Sequence, residues 1–223
     1  MKRLALLLIF VPLVATACHH NFGRGITGSG KRAMQKREVA PFTSISTQGA
    51  FDIQVVCQKP VSLEIEGDDN ILPLITTEVN NNVLYIKGIQ NYSVREPINV
   101  RISVPNLDGL TVSGAGKTDI SGIKNDKFEI DSTGAPTIKV SGATKVVDID
   151  TSGAAKIDTS RLQASRAVVD SKGVSRVDLS AADQLDVTIS GPSRVTYKGD
   201  PVVTKTVHGP GSVEKKATAT EGT

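Results

Sequence analysis

The sequence predicts an all-β fold: a parallel β-solenoid, or β-helix, behind a strand-rich N-terminal cap. Three observations carry that expectation. Glycine-centred turns recur at Gly114, Gly134, Gly153, Gly173, Gly191 and Gly209, with spacings of 20, 19, 20, 18 and 18 residues. The residues four and six places after each glycine fall into shared columns that alternate with polar neighbours, the period of a strand with one buried face. The chain has no Trp, and its inward positions are small, which suits a narrow stack without a cavity. Units this short cannot bury an apolar face alone and must stack on their neighbours.

The chain's 223 residues divide as follows. Residues 1–17 read as an export signal. Lys2 and Arg3 precede an apolar run from Leu4 to Val14, and Ala15-Thr16-Ala17 leads directly into Cys18. The run is too short to span a bilayer as a stable helix. Small residues before a cysteine resemble the lipobox of bacterial lipoproteins, in which that cysteine is acylated. Cys18 is therefore the expected lipidation site, although Ala15 stands where Leu is commoner. Residues 18–38 read as a flexible basic tether, with Arg24, Lys31, Arg32, Lys36 and Arg37 and no acid before Glu38. From Glu38 onward the balance reverses to 19 basic and 23 acidic side chains, which excludes a nucleic-acid-binding charge pattern. Cys57, the other cysteine, sits in the apolar run IQVVCQ and is expected in the core.

Two stretches imitate phosphate-binding loops. GITGSGKR at 25–32 has the G-x-x-x-x-G-K spacing, but Arg32 stands where magnesium binding needs Ser or Thr. SGAGKTDI at 113–120 is one copy of the serial turn. Neither implies a nucleotide.

Residues 39–110 read as a strand-rich cap without the glycine register, built from FTSISTQGAFDIQVVC, VSLEIEG, NVLYIKG and INVRISVP. Such a cap would shield the open end of the stack. Residues 111–216 carry the repeats. Four after each glycine stand Thr118, Ile138, Ile157, Val177, Val195 and Val213, and six after stand Ile120, Val140, Thr159, Leu179, Tyr197 and Lys215. A second strand in each unit shows Phe128/Ile130, Val147/Ile149, Ala167/Val169 and Leu185/Val187. A β-sandwich also has strands every ten residues, but it does not require one residue class in one column five times. Residues 217–223, ATATEGT, read as a disordered tail.

ISVPNLDGL at 102–110, the serial SGAG-type turns, GPSRVTYKGDPVV at 191–203 and HGPGSV at 208–213 together resemble the head GIN domain family of putative autotransporter adhesins. The resemblance covers residues 39–214. It implies an exported or surface-anchored β-helical domain and brings no catalytic residues.

Two outward faces are candidates for binding. Lys117, Lys156, Arg176 and Arg194 stand three after their glycines and form a candidate face for a glycan or another envelope polymer. Asp119, Lys139, Asp158, Asp178 and Thr196 run beside them, so mutual charge pairing is the structural explanation of the same pattern. On the second strand Asp131, Asp148, Asp150 and Asp170 form a candidate cation face, since oxygen ligands in a grid suit calcium. The calcium-binding nonapeptide pattern is missing from these strands, and a solvated, aggregation-resistant face is the favoured account of them.

No nucleophile–base pair or metal-ligand spacing appears: the histidines are His19, His20 and His208. The expected protein is a non-catalytic lipoprotein of the cell envelope, at the outer membrane or cell surface, without cofactor, metal, nucleotide or nucleic acid. It would act by binding. A purely structural envelope protein is the alternative, and a polysaccharide-cleaving β-helix enzyme the more distant one.

Overall fold

The computed structural model describes residues 25–216. Cys18, the export signal, residues 18–24 of the tether and the 217–223 tail lie outside the described residues. What is described is almost entirely β-structure in one large mixed sheet of 14 strands, plus a two-stranded pair. The expectation of an all-β chain holds. The sheet is not parallel throughout. Ser62–Asp68 runs antiparallel to Ile98–Val104, and Ile75–Asn80 to Val83–Gly88, all within the region expected to be the cap. Arg32–Lys36, from the expected tether, runs antiparallel to Ser62–Asp68.

The strands before residue 109 are β1 (Ile26–Thr27), β2 (Arg32–Lys36), β3 (Ser44–Gln48), β4 (Phe51–Cys57), β5 (Ser62–Asp68), β6 (Ile75–Asn80), β7 (Val83–Gly88), β8 (Tyr92–Ser93) and β9 (Ile98–Val104). Period-2 burial runs through them: in β4 Phe51, Ile53, Val55 and Cys57 are buried while Asp52, Gln54 and Val56 are not. β6 returns antiparallel on β7 through the left-handed pair Asn81-Asn82, the turn chemistry that a tight hairpin requires. β5 is antiparallel to both β9 and β2.

The remainder comprises β10 (Gly109–Gly153), β11 (Lys156–Gly173), β12 (Arg176–Ser180), β13 (Gln184–Ser190), β14 (Arg194–Lys198), β15 (Val202–His208) and β16 (Ser212–Lys215). A straight strand of β10's 45 residues would span about 150 Å. It instead doubles back on itself, and the Ser113 and Thr133 hydroxyls meet at 2.8 Å. Successive repeats pair in parallel and in register. Ile138 aligns with Ile157, then Val177, Val195 and Val213. Val147 aligns with Ala167, Leu185 and Val203. Every member of both series except Val203 and Val213 is buried. Burying one such side chain is worth roughly 1.5–3 kcal/mol, so the column that recurs in sequence is also the column that holds the sheet together.

Four polar groups enter this core as a matched set, whereas the buried Ser132 hydroxyl has no partner among the described residues. Thr151, Ser171, Ser175 and Ser193 are all nearly inaccessible. Ser171 donates to Ser193 at 2.8 Å, Thr151 and Ser175 lie 3.3 Å apart, and Ser193 donates to the Gly173 carbonyl at 3.0 Å. Each of these hydroxyls has a partner, which avoids the cost of a buried unpaired donor.

Two parts of the N-terminal half differ from the sequence expectation. Part of the supposed tether is ordered: β2 is an edge strand on β5, and β1 pairs with β8. The Arg37 guanidinium accounts for much of this, donating to the carbonyls of Leu72 and Ile75. Parallel pairing also begins well before residue 111. β3 pairs with the start of β10, Ile45 against Leu110, and β4 pairs with its continuation, Ile53 against Thr118. QGAFDIQV at 48–55 is therefore a further copy of SGAGKTDI, displaced by 65 residues. The close approach explains the shared glycine: Gly114 has φ +133°, and a Cβ there would lie 2.5 Å from the Gly49 carbonyl oxygen. On its other side the same β3–β4 unit is flanked in parallel by β7 and β9.

Candidate binding face

The expected basic column is real as a surface feature. Lys117, Lys156, Arg176 and Arg194 are all exposed. Lys156, Arg176 and Arg194 are direct neighbours across β11, β12 and β14, strands about 4.8 Å apart. Lys117 lies opposite Asp52 of β4, and its backbone N–H donates to that carboxylate at 3.2 Å.

Mutual pairing with the neighbouring column is sparse. Arg176 reaches Asp178 of its own strand at 3.4 Å. Among the described residues, Lys117, Lys156 and Arg194 make no ion pair. Asp158, which stands beside Lys156, turns instead to the Ser160 N–H at 3.0 Å. Burial pulls its carboxyl upward, but the Ser160 hydrogen bonds, with Arg161 and Lys139, outweigh this and hold it below its ordinary value.

The face is not uniform along its length. A groove of about 560 Å³ opens at its N-terminal part. Its charged lining comprises Arg101 of β9, Lys117, Asp119 and Lys139 of β10, Lys156 of β11 and Asp52 of β4, with Gln54, Asn99 and Thr137 between them. Strand register builds it. Asn99, Asp52 and Lys117 are successive neighbours in one row, and Arg101, Gln54 and Asp119 in the next. Arg101 is held by Glu66 at 2.9 Å. Arg176 and Arg194 lie beyond the groove. The repeat periodicity locates Lys117 and Lys156 but misses Arg101, Asn99, Asp52 and Gln54. The signal for Asp52 and Gln54 was the QGAFDIQV copy, hidden by its 65-residue displacement; Asn99 and Arg101 follow only from the pairing of INVRISV with that copy.

The candidate cation face has a different character. Asp150 and Asp170 are register partners across β10 and β11. The Asp131 carboxyl is pushed up by burial and by repulsion from Asp150, Glu129 and Asp148. Lysines interleave with this face: Lys172 reaches Asp170 at 2.9 Å and Lys127 reaches Asp148 at 3.7 Å. Arg166 binds Asp186 at 2.8 Å. Among the described residues no cluster of three His, Cys, Asp or Glu has the geometry to hold a metal ion. Asp148 and Asp170 are thus paired with lysines, while Asp131 and Asp150 make no ion pair among the described residues.

The glycine loop at 25–32 has its own internal partners. The Gly30 N–H donates to Asp68, and the Ser29 N–H donates to Asn70 at 2.9 Å. A carboxylate and an amide occupy the donors that a phosphate would need. Cys57 is buried, and its thiol is pushed up to about 11, by burial first and then by Asp108. At neutral pH it is a protonated core side chain and a poor nucleophile.

This architecture matches a described family. The family model for "putative auto-transporter adhesin, head GIN domain" aligns with residues 41–201. The chain belongs to this family. The match begins ahead of β3 and ends past β14, so it includes the displaced copy as well as the serial repeats. No curated protein matches the chain. Among solved structures, a putative adhesin from Bacteroides fragilis aligns with a TM-score of 0.67 at 22% identity, covering 86% of this chain and 100% of its own. That likeness shows a common fold. A putative adhesin from Parabacteroides merdae aligns at 0.48 and 18% identity, covering 86% of this chain and 99% of its own. A putative lipid binding protein from Parabacteroides distasonis aligns at 0.47 and 19%, covering 87% and 100%. No helix among the described residues is long and apolar enough to cross a membrane.

Proposed function

We infer that the chain is a non-catalytic envelope protein of adhesion type. Acylated Cys18 holds it to the outer membrane or cell surface, and its β-solenoid body binds a glycan or another envelope polymer. Family membership supports the adhesion type and the surface location. Serial parallel register at the repeat spacing supports the solenoid, with the antiparallel strands acting as its cap. The apolar run and small residues leading into Cys18 support the anchor, since one or more acyl chains hold a protein to a bilayer.

The observation that carries binding is the in-register row of half-buried Thr137 and exposed Lys156, Arg176 and Arg194. A surface that repeats its groups at the ladder pitch suits a ligand with its own repeat, each contact weak and the sum strong. The test is a binding array of glycans and envelope polymers probed with the full chain in mild detergent, alongside the intact mass of the native protein. The expected results are binding that strengthens with ligand length and an acyl mass on Cys18. Absence of binding to every polymer would overturn the adhesion reading in favour of a purely structural envelope role. An unmodified Cys18 would overturn the anchor.

A further inference from the structure

We propose that the groove between β9 and β11 is the ligand site of this body and that it takes an acidic polysaccharide with spaced carboxylates. This inference rests on the adhesion reading above and narrows it in place and in chemistry. The groove draws cations from separate strands: Arg101 from β9, Lys117 and Lys139 from β10, and Lys156 from β11. Lys117, Lys139 and Lys156 make no ion pair among the described residues, so their charge is available to a ligand. Lysine and arginine on a concave wall focus the field toward an incoming anion.

The two acids in the groove set the kind of anion. Asp52 is fixed by the Lys117 backbone N–H at 3.2 Å, and Asp119 stands in the row beside it. A polymer carrying phosphate on every unit would be driven against both carboxylates. Carboxylates spaced along a sugar chain can lie over the lysines and leave neutral hydroxyls over Asp52 and Asp119, which then accept hydrogen bonds from them. Gln54, Asn99 and Thr137 add further donors and acceptors at the same level. Oriented hydrogen bonds to hydroxyls separate a sugar chain from a bare polyanion.

The rest of the basic column lacks these features. Arg176 is engaged by Asp178, and Arg194 lies in the penultimate repeat with no wall beside it. The groove depends on β4 and β9 supplying a second side, which only the N-terminal half of the face possesses.

The experiment measures binding of the full chain, in mild detergent, to hyaluronate, which carries a carboxylate on every second sugar, to dextran and to single-stranded DNA, at low and at physiological salt. The expected result is salt-sensitive binding to hyaluronate in preference to the other two. A Lys117→Ala, Lys139→Ala, Lys156→Ala variant should bind about tenfold more weakly or worse, with an unchanged melting temperature because all three side chains are exposed. A Lys124→Ala, Lys198→Ala variant, at exposed lysines outside both the groove and the basic row, should bind as the wild type does. Equal binding by the triple variant overturns the site, as does equal loss in the double variant. DNA binding as tight as hyaluronate binding overturns the polysaccharide assignment. Binding of a neutral glycan alone, retained by the triple variant, overturns the groove and leaves the adhesion reading standing. Failure to bind any envelope polymer overturns both.

Discussion

The two ends of the sheet solve the same problem in opposite ways. At the N-terminal end the outermost parallel strands are covered: β6 pairs antiparallel with β7, β5 with β9, and β2 beyond β5. Leu63, Ile65, Ile71, Leu72, Leu84 and Ile98 are fully buried beneath them. At the C-terminal end β15 pairs only with β13 and β16 only with β14 among the described strands. That end still carries exposed apolar side chains, Val202 at 75% and Val207 at 37%. Two of the inward columns there finish on a lysine: Val187 is followed by Lys205, and Leu179 and Tyr197 by Lys215, while Leu185, Ile189 and Val195 are followed by Val203, Val207 and Val213. Lys215 is tied to Asp200. A charge placed where the next strand would need an apolar group is a known defence of sheet edges. One end is thus closed by added structure and the other by an incompatible residue.

The sharpest way to break this comparison is a charge in each end. Ile65→Asp should cost on the order of 4 kcal/mol, because Ile65 is fully buried between β9 and β2. Val203→Asp in β15 should cost under about 1 kcal/mol, because Val203 is only half-buried at the edge. Urea melts measure both. Equal costs would mean that the C-terminal edge is as closed as the other.

A smaller effect separates turns of the same type. Gly114→Ala should cost roughly 3 kcal/mol, from its φ of +133° and the 2.5 Å contact with the Gly49 carbonyl. Gly209→Ala in the last turn also has positive φ, +104°, but its nearest neighbour would be at 3.7 Å. Its cost should be about 1 kcal/mol. Thermal midpoints of the two variants rank them.

Smaller still in stability is the lysine pair. Lys205→Val with Lys215→Val should leave the melting temperature within a few degrees of wild type. It should change the solution behaviour, however, by giving the last strands apolar columns that another copy can extend. Sedimentation over a concentration series is the measurement. A mass independent of concentration in the double variant would show that the lysines do not guard the edge.

The least effect at neutral pH comes from Cys57. Its thiol keeps its proton up to about pH 11 when folded, against 9.0 ordinarily. The unfolded chain therefore loses that proton first, and stability falls as pH rises from about 9 to 11. At pH 8 alkylation of Cys57 should be about 100-fold slower in the folded chain than in denaturant. A Val207→Cys variant should react at its new cysteine without unfolding. Mass spectrometry of labelled peptides reads both.

What was legible in the sequence follows from the range of each signal. Ile138, Ile157, Val177 and Val195 share a column at short, even spacing, so periodicity finds them and fixes which neighbours face outward. The same rule exposes Lys117, Lys156, Arg176 and Arg194. It cannot tell which of these stand in a groove, because the second wall comes from Asp52, Gln54, Asn99 and Arg101 on strands outside the serial register. β1 and β2 were illegible for another reason: a Gly-rich basic stretch looks like a linker until the partners of Arg37 and Gly30 are known.

The displaced copy has a kinetic consequence. β3 and β4 lie between β7 and β9 on one side and β10 on the other. A chain made from its N-terminus must therefore hold residues 44–57 without either flank until residues 83–121 have followed. Closing loops of that length is slow compared with adding the later repeats, which need contacts only 18 to 20 residues away. Folding should thus be paced by assembly around β3 and β4. The repeats from β11 onward then add in sequence like links on a finished anchor, with the lysine-bearing strands last.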